Sequence, residues 1–241
     1  MTALLLVSCS HVDNGPQVKR HSVSENLEIT AIRPGVWLHT SWHTFASGAR
    51  FPANGLLILD QGELLLIDTA WGEQSTRDLL SWIDKEFSHP LDAAVVTHFH
   101  ADSAGGTAVL VDAGIPVFAH PRTVGIMRSR NMVVPALIAE FTASDAVSFR
   151  HTELFYPGPG HSMDNMVVWL PMTRILFGSC AVRSPEFSGK GNVADADERH
   201  WPIAIRKVLQ RYPDVNIVVP GHGPVGTKKL LQHTIDLFAD H

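Results

Sequence analysis

Cysteine is scarce: only Cys9 and Cys180 occur in 241 residues, so no disulfide framework can carry this fold. Positive charge is also short, with 19 Lys plus Arg against 24 Asp plus Glu and a formal net charge of −5. That balance leaves no basic footprint for nucleic acid. No apolar run reaches the ~18 residues a membrane-spanning helix needs. Low-complexity tracts and long flexible linkers are missing, as are Ser-x-x-Lys and the Gly-x-Ser-x-Gly elbow, so a serine nucleophile is not expected. What is present is an ordinary globular balance of 45% hydrophobic and 18% charged residues. A chain this long can bury roughly 70–75% of its unfolded surface in one domain. Histidine is the excess, with 14 residues, and it directs the search toward metal or acid–base chemistry.

Residues 1–25 read as a leader and polar tether, and 26–241 as a single domain. The apolar run Leu4-Leu5-Leu6-Val7-Ser8 ends at Cys9, and Leu6 to Cys9 resembles a lipoprotein signal in which the cysteine is acylated. A discarded signal peptide is the alternative. Both imply export to the periplasm, with a lipid anchor at Cys9 in the first case only.

From Leu27 onward, strand-like and helix-like runs alternate. Residues 55–60 and 63–68 flank the turn Asp60-Gln61-Gly62 as a hairpin. Leu79, Leu80, Ile83 and Phe87 give 73–87 a helical apolar face. Strands are expected at 91–97 and 115–119, with helices at 104–113 and 121–130, the latter opening on Pro121. The second half repeats the plan, with strands at 146–149, 152–155, 166–170, 174–177 and 215–219 and helices at 198–212 and 227–239. This pattern predicts an α/β fold of two sheets packed face to face under outer helices, an αββα sandwich.

Polar ligand types cluster at the expected strand ends. His98, His100 and Asp102 alternate after one strand, and in an extended segment alternate side chains share a face. His161, Cys180 and His222 each stand beside a glycine farther along. His98, His100 and His161 offer three imidazoles with a fourth tetrahedral place left for water. Asp102, Cys180 and His222 offer oxygen, thiolate and imidazole, which suits a second zinc. The other histidines, His39, His43 and His120 among them, read as surface or satisfied core residues. Asp68, at a strand end, reads as a hydrogen-bond partner of the ligands. Trp71 and Trp201 sit in apolar patterns and read as structural.

The segment His98-Phe99-His100-Ala101-Asp102 resembles the signature of the metallo-β-lactamase superfamily, and Ser103 with Cys180 matches its subclass B1. Residues 63–72, 153–158 and 191–197 are similar to the VIM type. The resemblance implies two Zn²⁺ ions and hydrolysis of penicillins, cephalosporins and carbapenems, conferring antibiotic resistance. It implies that zinc ionises the attacking water, that Asp102 orients it and that Asn192 donates to the lactam carbonyl oxygen. Arg183 stands where relatives have a substrate-carboxylate lysine; a solvated surface charge is the alternative. Residues 41–54 resemble a mobile hairpin loop that covers substrate. Phe45 with Trp71 would contact substrate there, whereas Trp42, Phe45 and Phe51 could equally pack in the core. A monomer acting on a small β-lactam is expected. The rivals are a lactone, thioester or phosphodiester hydrolase of the same fold and a non-catalytic zinc-binding protein.

Overall fold

The computed structural model describes residues 20–142, 144–187 and 189–239. Strands β1 (Arg20–Ser24), β2 (Leu27–Arg33), β3 (Val36–Thr44), β4 (Arg50–Asp60) and β5 (Glu63–Ile67) form an antiparallel meander. Helix α1 (Glu73–Glu86) crosses to β6 (Ala93–Val96), and α2 (Ala101–Ala104) with α3 (Thr107–Asp112) leads to β7 (Val117–Ala119). Helix α4 (Pro121–Ser129) leads to β8 (Ala136–Leu137), and β5 to β8 run parallel. The second sheet holds the antiparallel strands β9 (Ala146–Phe149), β10 (Thr152–Phe155), β11 (Val167–Leu170) and β12 (Ile175–Ser179). After α5 (Trp201–Arg211), strand β13 (Ile217–Pro220) adds parallel to β12, and α6 (Lys229–Phe238) closes the described chain.

Period-two alternation assigns each strand residue to a layer. In β5, Leu64 and Leu66 face the helices α1 to α4, while Leu65 and Ile67 face the other sheet. In β12, Ile175 and Phe177 enter the layer between the sheets, while Leu176 packs under α5 and α6. Phe177 is wholly buried, so truncation to alanine would cost about 3–5 kcal/mol. These three apolar layers are the expected αββα sandwich. The sheets are unequal, with eight strands and five, so the halves do not repeat one plan.

Two local expectations change. Residues 20–24, read as tether, form β1 and pair with β2, so the sheet begins before residue 26. Cys9 lies outside the described residues. The helix expected over 104–113 begins only at Thr107, because Gly105 and Gly106 separate it from the short α2, and a Cβ at Gly106 would strike the Thr76 side chain of α1. The segment 41–54 forms a hairpin: Ser41 to Thr44 pair with Arg50 to Ala53, leaving a short turn around Phe45 to Ala49.

Candidate metal centre

Parallel pairing puts the carboxyl ends of β5, β6, β12 and β13 along one edge of the sandwich, where ligands bind in open α/β sheets. The chain delivers Asp68, His98, Cys180 and His222 there, each within two residues of its strand. Cross-sheet hydrogen bonds fix the edge: Met166 N–H donates to Thr97 O at 2.9 Å, and Asn54 Nδ2 donates to Pro220 O and Gly223 O at 2.9 and 2.8 Å.

The six residues predicted as ligands converge. His98, His100 and His161 bring ring nitrogens within 4.8 Å of one another, as do the donor atoms of His98, Asp102 and Cys180. His100 Nδ1 lies 2.9 Å from His161 Nε2. Asp102 Oδ2 is 3.1 Å from both Cys180 Sγ and His222 Nε2, and Sγ is 3.3 Å from that Nε2. The expected extended geometry of the His98 to Asp102 segment is not how this happens. Residues 97–100 bend, His100 caps α2, and Asp102 stands in the first turn of that helix. A bend followed by a helical turn brings the carboxylate round to the second group, which a straight strand would not do.

Electrostatics favour a cation here. Burial drives the His98 imidazole down to about 3 and holds His161 well below its usual range, so both are neutral, as metal ligands must be. His98 Nε2 is buried without a hydrogen-bond partner. Burial alone would raise the Asp102 carboxyl, but the His222 hydrogen bond and the neighbouring histidines hold it well below the usual carboxylate range. Burial and the adjacent Asp102 charge push the Cys180 thiol well up, a penalty that a divalent cation shared by both would remove. An orphaned buried nitrogen, neutral imidazoles and a thiol beside a carboxylate together fit zinc.

Supporting residues hold the ligands. Asp68 Oδ1 accepts from Thr97 N–H at 2.7 Å and Ser103 Oγ at 2.5 Å, while Oδ2 accepts from Thr97 Oγ1 at 2.8 Å and Ser179 Oγ at 3.2 Å. It thereby ties together the neighbours of His98, Asp102 and Cys180, as its position suggested. Burial raises its carboxyl to about 7 despite those donors. Asp68 and Ser179 both have left-handed backbones, at φ 60° and 47°, so the knot is strained. His100 Nε2 faces Asp195 Oδ2 at 3.0 Å, and Asp195 Oδ1 accepts from Arg130 at 2.9 Å. His222 Nδ1 is 2.6 Å from the carbonyl of Pro52.

Over the ligands lies a cleft of about 500 Å³ whose walls include Phe45, Phe51, Trp71, Arg183 and Asn192. Trp71, first read as structural, therefore faces the cleft, and only Trp201 is fully buried. Phe45 is 44% exposed, so it lies at the mouth and not in the core. Arg183 is 7% exposed, which removes the solvated-charge alternative. His43, expected as a surface or core residue, stacks on Trp71 with ring centres 5.1 Å apart. Its signal was alternation in β3. Asp195 was legible only as part of a motif, because its partners His100 and Arg130 are remote in sequence.

Known proteins agree with this geometry. The family model of the metallo-beta-lactamase superfamily matches residues 48–222. A metallo-beta-lactamase type 2 of Bacillus sp. (strain 170) is 38% identical over 214 residues, covering 88% of this chain and 82% of its own. The type 2 enzyme of Bacillus cereus is 37% identical, covering 90% and 86%. The crystal structure of the metallo-beta-lactamase FIM-1 from Pseudomonas aeruginosa, in a mono-zinc form, superposes with a TM-score of 0.84 at 33% identity, over 90% and 97% of the two chains. With a family match spanning all six converging ligands, and with relatives aligned over most of both lengths, this chain belongs to the metallo-β-lactamase superfamily and, by its Asp–Cys–His group, to subclass B1.

Proposed function

We propose that the protein is an exported zinc hydrolase that opens the β-lactam ring of penicillins, cephalosporins and carbapenems and so confers resistance. The carrying observation is the meeting of the two ligand groups under one cleft: His98, His100 and His161 would hold one ion, and Asp102, Cys180 and His222 a second. Bound zinc supplies Lewis acidity and lowers the pKa of water from ~15.7 to ~7.

The chain's own residues do the rest. Asp102, ionised and held by His222, accepts a hydrogen bond from the attacking water and orients it. Asn192, on the cleft wall, offers its amide N–H to the lactam oxygen as charge develops there; its Oδ1 is already engaged by Ala194 N–H at 3.1 Å. Arg183 faces the same cleft and grips the carboxylate beside the lactam nitrogen. Phe45, Phe51 and Trp71 exclude water and pack on apolar substituents. The leader-like run Leu4 to Cys9 supports export, and a cleft lined by one chain supports a monomer.

The test is turnover of a chromogenic cephalosporin and a carbapenem beside a thioester and an aryl phosphodiester. Hydrolysis of both lactams, lost on chelation and restored by zinc, is expected. Cleavage of only the thioester or diester would reassign the substrate, and undiminished turnover after chelation would end the zinc reading.

A further inference from the structure

Arg183 is unusual for an arginine offered to substrate. It is 7% exposed, its Nε is buried without a hydrogen-bond partner, and burial lowers its pKa. Its backbone N–H is fixed by Thr234 Oγ1 of α6 at 2.9 Å. A guanidinium so enclosed depends on whatever covers its face, and the cover is a residue with no side chain. Gly191 has φ +73°, and a Cβ there would fall 2.7 Å from Arg183 Nη2 and 2.9 Å from both Cζ and Nη1. The loop backbone therefore approaches the guanidinium more closely than a side-chain-bearing residue could without moving the arginine.

The loop has little freedom to give way. Asp195 is held by His100 and Arg130, Asp197 N–H donates to Gly160 O at 2.8 Å, and Lys190 pairs with Glu198 at 2.6 Å. Asn192, the next residue, lines the same cleft. One backbone step thus sets both the cover over the cation and the amide beside the carbonyl.

We propose that Gly191 is a specificity-determining residue: by closing the loop backbone over Arg183 it fixes the guanidinium edge toward the cleft, and it thereby sets recognition of the carboxylate next to the scissile amide. This rests on the proposed β-lactam reading and deepens it. A side chain at 191 would displace the guanidinium or lift the loop, and either would penalise anionic substrates most.

The test uses Gly191→Ala and Gly191→Asn in the zinc-loaded enzyme. Asparagine tolerates a left-handed backbone, so it keeps the steric contact while relieving most of the φ strain. KM is measured for a cephalosporin acid and its methyl ester, with zinc content and melting temperature alongside. The acid-to-ester KM ratio should rise at least fivefold in both variants. In an Arg183→Lys background, where no guanidinium meets the new Cβ, the same Gly191 changes should move that ratio less than twofold. An unchanged ratio in Gly191→Asn, or equal shifts in both backgrounds, would overturn the proposal. Calorimetric Kd values for the hydrolysed cephalosporin acid and for its methyl ester, which differ only at that carboxylate, give the corresponding ratio without turnover. A protein that hydrolyses no lactam therefore sinks the functional reading, while Gly191 is judged separately.

Discussion

The two ends of the sandwich treat charge in opposite ways. At the end where the β4–β5 and β9–β10 turns meet, the paired ions keep contact with solvent. Arg150 reaches Glu63 at 3.1 Å, and Arg211 with Tyr212 holds Glu153 at 2.7 Å. At the other end, His98, His161, Cys180 and Asp68 are buried together beside the half-buried Asp102, and Nε2 of His98 has no hydrogen-bond partner. Surface pairs of the first kind contribute little to stability. The second arrangement is expensive without a cation, and its persistence marks where the fold serves chemistry.

The widest difference should come from breaking the metal end. Asp102→Ala removes a ligand and the group that orients water, so kcat/KM for a chromogenic cephalosporin should fall at least 10³-fold. A loss under tenfold would remove Asp102 from the mechanism. Next, Asp68→Ala removes the carboxylate that accepts from the Thr97 N–H and from the hydroxyls of Thr97, Ser103 and Ser179, and urea unfolding should show a loss of about 3 kcal/mol.

Acid should weaken the buried histidines before it touches the paired end. Burial lowers the His39 imidazole to about 4, against about 6.5 in the unfolded chain, so between those values the unfolded state binds the extra proton. The stability linked to His39 is complete above pH ~6.5 and falls as pH drops toward 4, by about 2 kcal/mol between pH 7 and 5. His39→Gln, which cannot titrate, should flatten that part of the slope in denaturation curves at the two pH values. An unaltered slope would place the acid sensitivity elsewhere. The smallest effect belongs to the turn end: Glu153→Gln should change the unfolding free energy by about 1 kcal/mol or less, and less still in high salt.

The sequence made the ligands legible because each stands at the end of an apolar run beside a small residue, as with Cys180 after β12 and His222 after β13. It made the layers legible because alternation in β5 and β12 assigns each leucine and phenylalanine a side. The knot around Asp68 was less visible, since its partners Thr97, Ser103 and Ser179 come from three separate segments. The turn of Asp102 into α2 was hidden because His-x-His-x-Asp reads equally as strand. The strand at 20–24 was obscured by polar residues, His21 among them, whose pairing is decided by neighbours and not by local preference.

The central claim, that six distant side chains form two adjacent metal sites, is tested most directly by titrating metal-free protein with Co²⁺ while recording its near-ultraviolet and visible spectra. Two equivalents should bind, and a thiolate-to-metal absorption should develop that Cys180→Ser abolishes along with one equivalent. Binding of no metal, or an identical titration in Cys180→Ser, would contradict the account.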